Sequence, residues 1–282
     1  MDKITSLVEA REAFSTQQRC EQQLREMRWP DGVTCPRCGS KRVTYMESRR
    51  KWQCECRYQF SVTAGTIFHK TYVDLPRWLM AIWLVCHSPK GISSAQIQRE
   101  LGVTYKTAWY MTTRIRRALK NANLGVKLGG ILEADTTVVA AAGGKKKPTW
   151  GNAGHDVLGI VSRDDAAVRL EIVQQLTRRE IMRVFAKHVG EVKRIFTDEG
   201  ASFYQLYKIA THETVKHEDH YALGRIHVNH VENAWSLFKR GLMGVYHFVS
   251  AKYLQDYLDE FAFRGSHRSE REAMVNLVLA CC

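Results

Sequence analysis

Long hydrophobic runs are missing from this 282-residue chain: the best apolar stretch, Trp78 to Cys86, is far shorter than the roughly 18 residues a membrane-crossing helix needs. No membrane span is expected. Nor does an apolar core follow a basic start, since Met1-Asp-Lys-Ile-Thr is mixed in charge, and this speaks against a secretory signal. Low-complexity tracts are also lacking, and 45% hydrophobic with 25% charged residues excludes a disordered chain. Acidic residues are in deficit, 29 against 42 Lys and Arg, for a net charge of +13. Residues 1–120 hold 21 basic and 10 acidic side chains, a net of +11, whereas residues 121–282 hold 21 and 19, a net of +2. A basic excess confined to one half points to a polyanion partner, of which nucleic acid is the commonest.

What is present divides the chain into modules, with a length that suits one sizeable domain and one or two small ones. Helical spacing of Ala10, Phe14, Leu24 and Met27 marks an N-terminal helical segment over residues 1–30, ended by Trp29-Pro30-Asp31-Gly32. Residues 31–68 carry Cys35-Pro-Arg-Cys38-Gly and, further on, Cys54-Glu-Cys56, with Tyr45, Trp52 and Phe60 as the sizeable apolar residues nearby. A segment of about thirty residues cannot bury enough surface to fold alone, and four thiolates around one structural Zn²⁺ would supply the missing free energy. The first pair, followed by glycine, has knuckle spacing; the second is one residue shorter than usual. Cys20, Cys86, Cys281 and Cys282 are scattered and read as packing or chain-end thiols.

Within a region spanning residues 69–122, residues 75–121 read as entirely helical. Leu75-Pro76 opens a helix through Trp78, Leu79, Ile82, Trp83 and Val85; Ile92 to Leu101 is a short helix, Gly102 a turn, and Thr104 starts a longer helix through Arg114, Arg116, Arg117 and Lys120. Helix, glycine turn and longer basic helix match a helix-turn-helix, although such pairs also serve as plain scaffolds. In the DNA-binding reading Thr104, Tyr105, Lys106 and Thr107 start the recognition helix, with Arg114 a further contact.

Residues 129–268 change character. Ile131–Val139, Val157–Ser162, Ala167–Gln174 and Val192–Thr197 read as strands, Arg178–Val189 and Ala201–Ile209 as helices, and two helices follow Val231, the second carrying Tyr253, Leu254, Tyr257, Leu258 and Phe261. Residues 269–282 form a tail. This α/β order fits a ribonuclease H-like fold among other α/β sheets. Asp135 within one strand and Asp198 just past another would repel if they met at one sheet end, and a divalent cation offsets that repulsion. Glu232, opening a helix, could add a third carboxylate; an all-oxygen set favours Mg²⁺ or Mn²⁺. Three acids scattered over the C-terminal half equally suit surface or capping roles.

Several segments together carry a resemblance: Trp29-Pro-Asp-Gly with the first cysteine pair, Phe60-Ser-Val-Thr-Ala-Gly-Thr-Ile-Phe68-His, Lys90-Gly-Ile-Ser, Leu132-Glu-Ala-Asp135, Phe196-Thr-Asp198-Glu, His227-Val-Asn229-His-Val-Glu232-Asn-Ala-Trp235-Ser-Leu-Phe-Lys239-Arg240-Gly, and Gly244-Val-Tyr-His247-Phe-Val-Ser250 with Tyr257-Leu-Asp-Glu260-Phe-Ala-Phe-Arg264. In order and over nearly the whole chain, they resemble the zinc-ribbon, ISXO-type DDE transposases of bacterial insertion sequences. The resemblance implies a ribonuclease H-like catalytic domain preceded by a zinc ribbon and a helix-turn-helix, acting on double-stranded DNA at element ends and target. It implies Asp135, Asp198 and Glu232 as catalytic residues and ligands of two Mg²⁺ or Mn²⁺ ions, and Cys35, Cys38, Cys54 and Cys56 as ligands of one Zn²⁺. Asn229 fits the same block as a positioning or phosphate-binding residue, and Lys239 and Arg240, about two helical turns beyond Glu232, would neutralise phosphates next to the cut. The basic run Lys145–Lys147 could touch target DNA or be plain surface. A bacterial cytoplasmic, nucleoid-associated protein that forms a homo-oligomer to pair two DNA ends is the corresponding expectation. Thr136 after the first acid, the short second cysteine pair and Arg264-Gly-Ser266-His267-Arg268 depart from the common pattern. A regulator with a degenerate sheet would have lost one of the three acids, and all are present; a cleavage-only nuclease would carry the same site.

Overall fold

The computed structural model describes residues 4–124, 127–140, 154–215, 227–269 and 275. Two compact units emerge, one formed by the residues up to Ser88 with Ser94–Ala118, the other by Pro89–Ser93 with Leu119–Arg268.

In the first unit the N-terminal periodicity is split into α1 (Leu7–Ala13) and α2 (Gln17–Arg28). The break has a local cause: Thr16 Oγ1 accepts the Arg19 amide as an N-cap, just as Ser6 and Glu9 form a capping box at the start of α1. The cysteine segment forms an antiparallel sheet of β1 (Val43–Met46), β2 (Lys51–Cys54) and β3 (Gln59–Phe60) in that order. Tyr45 sits opposite Trp52 with ring centroids 4.9 Å apart, and Trp29 stands edge-on to Trp52 and Phe60 at 5.6 and 5.9 Å, so four aromatic rings substitute for a large core. Three helices follow, α3 (Leu75–His87), α4 (Ser94–Leu101) and α5 (Tyr105–Leu124). Trp78 is fully buried against Phe68, and Ser94 and Thr112 join α4 to α5 through a 2.9 Å hydroxyl pair. Gly102 turns between these helices at φ +62°, where a side chain would be strained.

The second unit is built on a five-stranded sheet ordered β6-β5-β4-β7-β8. Its strands are β4 (Leu128–Ala140), β5 (Gly154–Ser162), β6 (Val168–Val173), β7 (Val189–Thr197) and β8 (Thr211–Thr214). Strand β5 is antiparallel to both β4 and β6, while β7 runs parallel to both β4 and β8. That order and those directions make the ribonuclease H-like sheet the sequence led us to expect. Alternation along β4 sends Leu128, Leu132 and Ala134 to a core shared with Ile181, Val184 and Phe185 of α6 (Arg178–His188). The opposite face meets α7 (Asn229–Gly241) and α8 (Ala251–Ser266) through Val231, Trp235, Phe238, Leu254 and Leu258. The expected helix after Asp198 is a 3-10 helix, Ala201–Lys208, whose three-residue period puts Phe203 and Leu206 inward. The edge strand β8 has only four residues and no apolar run, which hides it from a periodicity reading. No helix among the described residues is long and apolar enough to cross a membrane.

Candidate metal centres

The four clustered cysteines converge. Cys35 and Cys56 sulfurs lie 3.8 Å apart and Cys38 and Cys54 sulfurs 3.6 Å, with all four within 4.8 Å of one another. Zn–S bonds of about 2.3 Å in a tetrahedron place sulfurs about 3.8 Å apart, so the cage has zinc dimensions. The first knuckle turns through Gly39 at φ +73°, its amide donating to the Cys35 carbonyl at 2.8 Å. The short second pair works because Arg57 takes the matching left-handed position, φ +63°, and its amide donates to the Cys54 carbonyl at 2.9 Å. At Cys35 desolvation opposes ionisation, but hydrogen bonds from the Arg37 and Cys38 amides, joined by those from the Cys38 and Cys54 thiols, outweigh it and the thiol is lowered to about 7.

The acids are arranged more openly. Asp135 sits within β4, opposite Gly159 of β5. On its other side the parallel pair Ala134–Thr197 sets Asp198, one residue further, beside it at the carboxyl end of β7. The Thr136 amide donates to Asp135 Oδ1 at 2.7 Å and the Trp235 indole to Oδ2 at 3.2 Å. Gly159 lets the indole reach: a Cβ there would fall 2.5 Å from the Trp235 ring. Asp198 accepts the Gly200 amide at 3.1 Å. Behind it the buried Thr197 hydroxyl donates to the Asp198 carbonyl at 2.8 Å, so the 2.9 Å contact with His212 Nε2 requires that nitrogen to carry the proton. Glu232 is exposed in the first turn of α7. Burial pushes Asp135 up to about 6; the Thr136 amide opposes this, the Asp198 charge adds to it, the Trp235 bond opposes it, and the Glu232 charge adds again. Two further carboxylates thus act on Asp135, and the three offer an all-oxygen donor set suited to a hard cation.

Among the described residues, the other set of ligand atoms within 4.8 Å is Glu133, His227 and His230. A guanidinium already fills the cation position: Arg163 Nε donates to Glu133 Oε1 at 2.6 Å and its Nη2 to the His227 carbonyl at 2.6 Å. His227 Nδ1 lies 3.2 Å from both that Nη2 and Glu133 Oε1. Burial, then the Arg163 charge, lowers the His227 pKa, while the Glu133 charge opposes this.

Thr104, Tyr105 and Lys106 are exposed and Thr107 half-exposed at the start of α5, with Thr104 Oγ1 accepting the Thr107 amide. Arg114 sits apart from that group: its guanidinium donates to the Ile67 and His69 carbonyls and covers the Tyr110 ring at 4.6 Å, tying α5 to the segment after the ribbon. Asn229 and Arg240 are exposed at opposite ends of α7, and Lys239 is half-buried. Lys145–Lys147, Cys281 and Cys282 lie outside the described residues, as does most of the 269–282 tail. The departure at Arg264-Gly-Ser266 is structural: Arg264 pairs with buried Glu260 and lies over Phe261, and Ser266 Oγ accepts the Val168 amide at 2.8 Å. Glu133, Gly159, Arg163, His212 and Trp235 were not assigned site roles from sequence. A glycine inside an apolar strand was the available signal for Gly159, and membership of the resembling blocks for Glu133 and Trp235.

Residues 127–265 match the ISXO2-like transposase domain and residues 15–59 the transposase zinc-ribbon domain. An uncharacterized protein in transposable element ISH50 of Halobacterium salinarum is 27% identical over 273 residues, covering 89% of this chain and 91% of that one. Solved structures give weaker likenesses. A simian T-cell lymphotropic virus intasome in complex with PP2A regulatory subunit B56 gamma has a TM-score of 0.32 at 15% identity, over 59% of this chain and 63% of that one, less than two thirds of its length. A pre-cleavage Mos1 transpososome has a TM-score of 0.26 at 11% identity, over 66% of this chain and 73% of that one.

Proposed function

Because this chain belongs to the IS1595-type zinc-ribbon DDE transposases, we propose that it binds insertion-sequence ends and carries out metal-dependent DNA strand cleavage and strand transfer with Asp135, Asp198 and Glu232. The observation that carries the reading is Asp135, a largely buried carboxylate facing two further negative charges. These three residues would hold two Mg²⁺ or Mn²⁺ ions, which when bound activate a water or 3′-hydroxyl and stabilise the leaving oxygen of an in-line displacement. Asp135 would be the central member of the set that holds them, and its two hydrogen bonds fix the carboxylate in advance. Asp198 follows the neighbouring strand and Glu232 lies in the first turn of α7, both near enough for their charges to act on Asp135. Lys239 and Arg240 neutralise phosphates beside the cut, and Asn229 positions one.

The α4–turn–α5 segment acts as a helix-turn-helix, with Thr104, Tyr105, Lys106 and Thr107 reaching base edges or phosphates. The ribbon holds one structural Zn²⁺. The protein works as a homo-oligomer that pairs two DNA ends, in the bacterial nucleoid. The test is to incubate purified protein with Mg²⁺, a labelled element end and a plasmid. Parent protein cleaves and joins the end, and Asp135→Asn lowers both steps by more than about a hundredfold. Cleavage that survives this substitution would sink the assignment.

A further inference from the structure

We propose that Glu133, which belongs to no catalytic set, is the residue that positions Glu232: it clamps the start of α7 to β4 and so holds the third carboxylate in register with Asp135. The inference rests on the proposed metal site and adds to it the element that assembles it.

Glu133 is fully buried, and an ionised carboxylate survives there only if its oxygens are satisfied. They are. Oε1 takes the Arg163 guanidinium and His230 Nδ1 at 2.6 and 2.8 Å. Oε2 takes the backbone amides of His230 and Val231 at 2.7 and 3.3 Å. These amides belong to the first turn of α7, whose own N-cap, Val228, has no side-chain oxygen and makes no side-chain cap bond. A carboxylate from a distant strand therefore replaces the local cap, and it carries the charge that the positive end of a helix favours.

Glu133 and Asp135 are two apart on β4, so both point to the α7 face, about 6.6 Å from each other along the strand. Their partners on α7, Val231 and Trp235, are four residues apart, about 6 Å along a helix axis. The two spacings agree, so α7 is fastened to β4 at two points, and Glu232 lies between them. A carboxylate on a first helical turn fastened only at Trp235 would fray with that turn; the Glu133 bonds remove that freedom. The cluster of Glu133, His227 and His230 is thus explained as the housing of a clamp closed by Arg163, whose other contacts, with the His227 carbonyl and over the Phe196 ring at 4.3 Å, hold it in place.

The test compares parent, Glu133→Gln and Asp135→Asn proteins by Mn²⁺ titration calorimetry and by hydrogen exchange of the α7 amides. The clamp predicts that Glu133→Gln stays folded, loses protection of the His230 and Val231 amides at least tenfold, and binds Mn²⁺ at least tenfold more weakly, with the Asp135 strand amides unchanged. Unchanged α7 exchange, or lost protection with unchanged Mn²⁺ affinity, overturns it. If Glu133→Gln does not fold, Glu133→Asp, which keeps the buried charge but shortens its reach, takes its place, and the same two measurements support or overturn the clamp in the same way. Failure of the parent itself to bind Mn²⁺ in a way that Asp135→Asn weakens would defeat the metal site instead, and is distinguishable from both.

Discussion

The two candidate metal centres are built on opposite principles. The cysteine cage draws all its ligands from a stretch of 22 residues, and its sulfurs already stand at zinc spacing. The acid centre draws ligands from Asp135 to Glu232, 97 positions apart, and places them by strand register and a helix fastened to a strand. A closed, local set suits an ion that holds structure together; an open set leaves room for substrate oxygens, as a catalytic centre must. Local spacing makes the first centre legible in sequence, whereas the second depends on which strands become neighbours.

Three perturbations sharpen this contrast, in decreasing size of effect. Removing a sulfur should be the most damaging, because the ribbon's free energy depends on its ion: Cys38→Ser is expected to lose about one Zn per chain by elemental analysis and to unfold the ribbon, structural zinc contributing roughly 10 kcal/mol. Retained zinc and intact ribbon dichroism would show that three sulfurs suffice. Gly159→Ala should do less, costing about 1–3 kcal/mol as its new methyl displaces the Trp235 ring, and it should weaken Mn²⁺ binding while leaving zinc content unchanged.

The smallest effect has the opposite sign. Asp135 has a native pKa raised to about 6 from an unfolded 3.8, so the folded chain binds the extra proton. The stability associated with that proton is present below about pH 4 and is lost as pH rises to about 6. Asp135→Asn is therefore expected to stabilise the metal-free protein at pH 8 by about 1–2 kcal/mol after allowance for partial exposure, a rise of a few degrees in melting temperature. At pH 4 the difference should vanish, and added Mn²⁺ should raise the melting temperature of the parent but not of the variant. A substitution that destabilised at pH 8 would contradict the strain assigned to this carboxylate.

Much of this could be anticipated, and the exceptions have physical causes. Apolar stretches located β4, β5, β6 and β7, because each of these strands contributes side chains to the buried cores on the sheet faces. The short edge strand β8 and the 3-10 helix after Asp198 have no such signature. At the N-terminus one apolar rhythm spans two helices, because Thr16 caps the second while the spacing of Phe14, Cys20 and Leu24 carries on. The three acids stood out as carboxylates in or beside apolar segments; the groups that hold them did not, since Glu133, Gly159 and His212 acquire meaning only from partners across the sheet or on α7. Arg114 shows the reverse case, a cation expected from sequence to contact DNA whose guanidinium is spent on backbone carbonyls.

The strip of bonds between α8 and β6 has a consequence in time. Ser266 accepts from Val168, and Gln255 reaches Ile172 and Leu170, across sequence separations of 98, 83 and 85 residues. On a ribosome, β6 is made long before the helix that covers it, and Glu232 also emerges before that cover. A partly translated chain therefore has its zinc ribbon available for folding while the sheet still lacks its lid. The cysteine cage can close before the sheet that carries the three acids is covered.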